Sequence, residues 1–367
     1  MGCIISRQPE DFKKGVQKLL DNADDSRKAR QTFLLGLKKL IRQFPMGEEE
    51  KAKCFTHDSP CFIHPTPAPG SVRMSVAGIT CVDWSSRGRR AKTLGDSALA
   101  WAALMREVYW TKPDILILEC TRLYDHNDVV AILDEVASMS PLVFSPTQVG
   151  IPSERYRKYM VMLWRCGRLQ WKERAEINLP RFLAVYGRRL ACNGHVYLKN
   201  TSEDLIETYR QYVSALRSLP SHAAGRSLNF DSLLTRRGRA RLQVAIDHAA
   251  ASGYASDDEI FYDQSQNLDF SGITYAVPAL TQRNVAWSHC LRRPMLPQEC
   301  FEAMGFPAVL AEATTGLRCP VEYAIENLSM SKQRSLSGNS MHFAAIGLVI
   351  VYTLAFTMDH PTFSMQP

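Results

Sequence analysis

Ser75-Val76-Ala77-Gly78-Ile79-Thr80-Cys81-Val82-Asp83-Trp84-Ser85-Ser86-Arg87-Gly88 starts as a short apolar run and breaks at small and polar residues. That is the pattern of a buried strand opening into a loop, with one cysteine at the mouth. Arg87, Arg89 and Arg90 follow closely, and nearby positive charge lowers a thiol pKa, so Cys81 is a candidate nucleophile. A buried structural cysteine is the competing reading. Downstream, Asp114-Ile115-Leu116-Ile117-Leu118-Glu119-Cys120 is a second apolar run that ends on a carboxylate. In α/β sheets, chemistry gathers at the carboxyl ends of strands. A third stretch, Gly150-Ile151-Pro152-Ser153-Glu154-Arg155-Tyr156-Arg157, leads into the strand-like run Tyr159 to Trp164. On an extended segment, Arg155 and Arg157 would point the same way and could meet one anionic group.

Cysteine, then glutamate, then Arg-x-Arg, in this order, resembles the cytosine-5 DNA methyltransferases. That family carries Gly-x-Pro-Cys-Gln-x-Phe-Ser-x-x-Gly, then Glu-Asn-Val, then Gly-x-Pro-Gln-x-Arg-x-Arg. Gly78, Cys81, Ser85 and Gly88 match the first, with Trp84 in the aromatic place. Glu119 matches the second, and Gly150, Pro152, Arg155 and Arg157 the third. Arg293-Pro294-Met295-Leu296-Pro297-Gln298-Glu299, leading to Met304-Gly305-Phe306-Pro307, resembles the family's Arg-x-Leu-Thr-Pro-Arg-Glu…Gln-Gly-Phe-Pro, and Ser337-Gly338-Asn339-Ser340-Met341 its closing Gly-Asn-Ala/Ser-Val. Thr80, Val82, Cys120, Thr121 and Ser153 depart from the pattern. Upstream of Cys81, no strand followed by a Phe-x-Gly-x-Gly loop is found.

The resemblance implies a partial Rossmann-like α/β sheet of an S-adenosylmethionine-dependent methyltransferase, interrupted by a target-recognition region. The Cys81 thiolate would attack carbon 6 of a flipped-out cytosine. Glu119 would hydrogen-bond the pyrimidine edge and assist protonation of nitrogen 3. Arg155 and Arg157 would steady the base and backbone, and Ser85 would contact phosphate. Carbon 5 would take a methyl group from S-adenosylmethionine, with Asn339 and Ser340 returning to the cofactor pocket. Three alternatives stand beside DNA methylation. They are a catalytically inactive nucleic-acid-binding paralogue, a truncated chain lacking the cofactor loop, and methylation of cytosine in tRNA or another RNA.

At 367 residues, with 46% apolar and 22% charged side chains, the composition is that of an ordinary globular chain. A net charge of +7 is compatible with a polyanionic partner. Four regions are expected: 1–70, helical and Pro-rich; 71–168, the catalytic α/β half; 169–275, the target-recognition region; and 276–367, which returns to the catalytic domain. In the first, 9–20 and 25–44 read as helices, the second with Ser26 as its cap. Within 71–168 the expected order is strand, loop, helix, strand, helix, strand, strand, with helices over 98–110 and 127–139.

Arg236, Arg237, Arg239 and Arg241 put four arginines in six positions. They suit phosphate contacts as well as they suit a solvated helix start. Cys54-Phe55-Thr56-His57 and Cys61-Phe62-Ile63-His64 supply two Cys-x-x-His pairs. They are a weak zinc candidate, against a duplicated Pro-rich linker. Met1-Gly2-Cys3 fits an acylation start, and membrane attachment through Gly2 and Cys3 is set against an accidental match. The methyltransferase reading places the protein in the nucleus; the alternatives are the cytoplasm or a membrane anchor. Ten scattered cysteines favour a reducing compartment. The uncharged run Phe343 to Phe356 is too short to span a bilayer and is expected to be a buried core helix.

Overall fold

The computed structural model describes residues 5, 8–24, 26–46, 51–54, 59–62, 70–79, 82–84, 91–134, 136–165, 167–199, 201–216, 229–265, 272–282, 284–308 and 320–361. In chain order the first elements are α1 (Glu10–Asp21), α2 (Arg27–Gln43), β1 (Lys51–Cys54), β2 (Ser59–Phe62), β3 (Met74–Gly78), α3 (Ala98–Thr111), β4 (Ile115–Thr121) and α4 (Asn127–Ile132). Then come β5 (Val136–Phe144), β6 (Arg157–Trp164), β7 (Leu169–Trp171), α5 (Leu179–Tyr186), α6 (Glu203–Leu216) and α7 (Arg236–Ala251). The remainder are β8 (Phe261–Asp263), β9 (Ala286–Ser288), β10 (Arg293–Pro294), α8 (Pro297–Ala303), α9 (Pro320–Glu326), α10 (Met330–Asn339), α11 (Phe343–Phe356) and β11 (Thr357–Asp359).

The chain divides into two interleaved units, one of residues 1–143, 157–181 and 350–367, the other of 144–156 and 182–349. The division cuts across the expected boundaries. It assigns the segment before β6 to the second unit and the last eighteen residues to the first.

The first unit is α/β. Its sheet has the order β3-β4-β6-β5, with β3 parallel to β4 and β6 antiparallel to β4. The β3–α3–β4 crossover gives it a Rossmann-like build, but the sheet is mixed rather than wholly parallel. β4 lies inside the sheet and its residues Ile115 to Cys120 are all buried, which is why it reads as an unbroken apolar run. β3 is an edge strand and only half-buried. Phe12, Val16, Phe33, Leu37 and Ile41 of the N-terminal helices join Trp101 and Met105 of α3 and Leu116 and Leu118 of β4 in one core. Arg106, fully buried, fastens this layer: Nε donates to Phe44 O, Nη1 to Gln8 Oε1 and Nη2 to Pro45 O, each at 2.7 Å. The Ser26 Oγ caps α2 by accepting from Ala29 N–H, as its place in the sequence predicts.

Two sequence expectations change here. The helix expected over 127–139 ends at Ile132, and 136–144 is a strand. Pro141 falls inside it; proline breaks a helix interior but is tolerated on the outer strand of a sheet, the position β5 holds. α11 is half-buried rather than a core helix. Ala345, Ile346, Val349 and Tyr352 are buried while Phe343, Val351 and Leu354 are exposed. The helical run Met330–Phe356 has the length and composition of a membrane span, but it breaks at Ser340–His342 into α10 and α11. The fourteen residues of α11 give about 21 Å of helix, less than a bilayer core.

The second unit combines the small antiparallel sheet β10-β9-β8 with helices. A buried ion pair braces it: Arg293 Nη1 and Nη2 donate to Glu299 Oε2 and Oε1 at 2.9 and 2.7 Å. Glu299 Oε2 also accepts from Leu296 N–H at 2.7 Å, at the start of α8. The Arg293…Glu299 motif is thus a structural clamp on the β10–α8 turn.

Candidate functional site

Gly78 ends β3 opposite Glu119 near the end of β4, and Ile79 N–H donates to Glu119 O at 2.8 Å. Because β3 and β4 run parallel, both strands deliver their carboxyl ends to one edge. Cys81 and Ser85 lie outside the described residues. From the other side, β6 starts at Arg157, paired with Thr121, while Tyr159 pairs with Glu119. Directly opposed residues share a face, so Arg157 is the diagonal neighbour of Glu119. Its Nε lies 2.9 Å from Glu119 Oε1, with the carboxylate 8% and the guanidinium 14% exposed. The structure brings Glu119 and Arg157 together at a strand-end edge.

Arg155 is placed otherwise. Residues 154–156 precede β6, which starts at Arg157. Arg155 belongs to the second unit, where its N–H donates to Ser145 Oγ at 3.0 Å. Its guanidinium donates to Leu280 O (2.6 Å), Ser340 O (2.9 Å) and Gly338 O (3.4 Å). It ties three carbonyls together around the Gly338-Asn339-Ser340 turn. Ser340 Oγ donates to Ser337 O at 2.8 Å, and Asn339 is exposed at the end of α10. Gly338 is required there: a Cβ would sit 2.2 Å from Thr281 C and 2.5 Å from Gln282 N. Gly150 and Gly305, both at φ +83°, are motif glycines whose backbone needs them.

Asp83 is a group that sequence reasoning missed. It is fully buried; Oδ2 accepts from Ser97 N–H and Oγ at 2.9 and 2.5 Å. Oδ1 has no hydrogen-bond partner among the described residues. Its position two residues after Cys81 was the available signal. Nearby, Gly78, Ile79, Trp84, Lys92, Ser97 and Trp101 line a cavity of about 210 Å³. A Rossmann-like build is consistent with S-adenosylmethionine binding. The described residues do not fit it: the cavity is below the ~300 Å³ at which ligand sites of cofactor size begin, and no carboxylate lines it for a ribose.

In the second unit, Arg236, Arg237 and Arg239 are exposed on the first turns of α7, whose cap is Thr235. Arg239 Nη1 donates to Leu234 O, and Arg241 Nη1 to Gln264 O and Ser265 O. Of the zinc candidates, His57 and His64 lie outside the described residues, as do Gly2 and Cys3. The backbones of Cys54 and Cys61 belong to the β1–β2 hairpin, in register with Ser59 and Ala52. Among the described residues no group of three His, Cys, Asp or Glu side chains is placed to hold a metal.

No protein-family model matches the chain, and no curated protein matches it. Among solved structures, a mutant of Spodoptera frugiperda DNMT2 is similar at 12% identity and a TM-score of 0.39, over 77% of this chain and 79% of that one. The S. pombe Dnmt2 methyltransferase is similar at 11% identity and a TM-score of 0.38, over 77% of each chain. The Entamoeba histolytica methyltransferase EhMeth is similar at 12% and 0.39, over 94% of this chain and 96% of that one. At these values the three likenesses assign no family.

Proposed function

We propose that this chain binds cytosine in nucleic acid and carries the base-directed half of a cytosine-5 methyltransferase site, with Cys81 as nucleophile. The observation that carries the proposal is the strand-end geometry: Glu119 level with Gly78, and Arg157 of the antiparallel neighbour on its carboxylate. A thiolate from Cys81 forms a bond to carbon 6 of the base, and the 5,6 double-bond electrons move to carbon 5. Glu119, as the carboxylic acid, hydrogen-bonds the pyrimidine edge and passes its proton to nitrogen 3, neutralising the negative charge that the attack places on the ring. Arg157 holds that carboxylate in place and adds positive charge beside the base. A binding-only chain is the second reading, favoured by the described residues' lack of fit for S-adenosylmethionine.

The test does not need a methyl donor. In 5-azacytosine the ring nitrogen at position 5 takes the proton after attack at carbon 6, so the adduct forms without transfer. Purified chain is incubated with 5-azacytosine DNA and, separately, RNA, and adducts are read by denaturing gel and intact mass. An adduct lost in Cys81→Ser and slowed at least ten-fold in Glu119→Gln is expected. No adduct with either nucleic acid, or one unaffected by Cys81→Ser, overturns the nucleophile. The polymer that forms it decides between DNA and RNA, and calorimetry with S-adenosylmethionine decides between enzyme and binder.

A further inference from the structure

The second unit holds a cavity of about 370 Å³ that the site above does not use, within the size range of small-molecule sites. Tyr209, Tyr212, Phe230 and Trp287 line it. The Tyr209 and Tyr212 rings stack 6.2 Å apart at 30°, and Tyr209 lies 6.0 Å from Phe230 at 32°. Two buried polar side chains also line the cavity: Trp287, 1% exposed, and Gln264, 8% exposed. Neither Trp287 Nε1 nor Gln264 Nε2 has a hydrogen-bond partner among the described residues. A buried donor left unmade is destabilising, and aromatic walls do not repay it.

Arg334, the cavity's cation, contacts the Tyr209 hydroxyl and places its Cζ 5.5 Å from the Tyr209 ring centroid. Among the described residues no carboxylate lies within ion-pair distance of it. Aromatic faces, an uncompensated guanidinium and spare N–H donors together suit a planar, acceptor-rich ligand carrying negative charge. The cavity rim continues into the arginine-rich start of α7. Leu234 and Gln264, both lining residues, are the ones whose carbonyls hold Arg239 and Arg241. Positive charge beside stacking faces is the combination that binds single-stranded nucleic acid.

We propose that this cavity takes one unstacked nucleotide, its base against Tyr209, Tyr212 and Trp287 and its phosphate toward Arg334, with the flanking strand on the α7 arginines. The proposal extends the nucleic-acid partner inferred above, but it is read by binding alone. Fluorescence anisotropy of the full chain with a labelled six-nucleotide oligocytidylate is compared with an abasic strand of equal length and charge. The base-bearing strand is expected to bind at least ten-fold more tightly. Ser331→Trp, on an exposed lining position of α10, fills the cavity mouth without touching the core. It should erase that preference and leave abasic binding within two-fold. Tyr212→Ala should weaken the preference at least five-fold.

Equal affinity for the two strands overturns the proposal. So does an unchanged preference in Ser331→Trp and Tyr212→Ala proteins that melt within a few degrees of the parent. Calorimetry with cytidine and adenosine monophosphates separates the sources. Micromolar binding lost in Ser331→Trp identifies a free nucleotide, and strand preference without it identifies a polymer. Covalent trapping with 5-azacytosine reads Cys81 and strand preference reads the aromatic cavity, two separate assays on the parent chain, so failure here and failure of the nucleophile are distinguishable.

Discussion

At the scale of single residues, the two arginines of the Arg-x-Arg motif serve different ends. Arg157 neutralises a carboxylate at a strand end, and Arg155 cross-links carbonyls. Replacing Arg157 with Met withdraws the guanidinium from the buried Glu119 and should cost roughly 3 kcal/mol in urea unfolding. Glu119→Gln in the same chain should recover at least 1 kcal/mol of that, because interacting residues are not additive; simple additivity of the two losses would show that the pair is not coupled. His342 gives a second residue-scale prediction. Burial and the nearby Arg155 push its pKa from 6.5 down to about 4. Its Nδ1 accepts from Ala345 N–H at 3.3 Å, a bond only the neutral ring can make. Between pH 6.5 and 4 the unfolded chain binds a proton that the folded chain refuses, so stability is full above this window and falls as pH drops. The contribution lost is roughly 3 kcal/mol by pH 4. His342→Gln, whose amide can still accept from Ala345, should melt with a visibly flatter pH dependence than the parent between pH 7 and 5.

At the scale of elements, α10 and the Leu280–Gln282 segment approach so closely that only glycine fits between them. A Cβ at 338 would meet backbone, 2.2 Å from Thr281 C and 2.4 Å from its oxygen, and no side chain can rotate away. Gly338→Ala should therefore cost about 4 kcal/mol, read as a lowered unfolding midpoint. A midpoint within 0.5 kcal/mol of the parent would mean the two segments are not held as described. This glycine was legible only through its motif. Strands β4 and β6 were legible through composition, because runs such as Ile115–Leu118 are too apolar to lie anywhere but inside; β3, read as a buried strand, is a half-buried edge. The 127–139 stretch misled because a short helix and a strand adjoin there without a glycine; Pro141 lies beyond the expected helix and did not forbid it, although it is tolerated on the outer strand that forms. Arg155 and Arg157 were read as one pair on one group, whereas the guanidinium of Arg155 donates to backbone carbonyls and that of Arg157 lies on Glu119; such partners, distant in sequence, leave no local signal. The aromatic cavity was not legible at all. Tyr209, Trp287 and Arg334 are scattered over 126 positions of the chain, and nothing local ties an amphipathic helix to a buried tryptophan so far away.

At the scale of the whole molecule, net charge +7 describes a chain suited to polyanions, and α7 shows where that character conflicts with stability. The N-terminus of a helix carries partial positive charge, and acidic residues belong there. The first turn of α7 instead holds Arg236 and Arg237 and no acidic residue, each arginine costing the helix about 0.3–1 kcal/mol. Both side chains are exposed, so neither recovers that cost through packing. A binding role and a purely incidental charge predict opposite outcomes for one double variant, Arg236→Ala with Arg237→Ala. Thr235 still caps the helix through Gly238 N–H at 3.0 Å, and alanine is the best helix former, so thermal unfolding should rise by a degree or more. If the arginines hold phosphates, affinity for single-stranded DNA or RNA should fall, and the slope of log affinity against log salt should flatten by about 1.4, near 0.7 for each lost contact on a single strand. Stability gained while affinity and salt slope are lost would mark the two arginines as kept for binding against the interest of the fold. Stability gained with both left unchanged would remove α7 from the nucleic-acid surface.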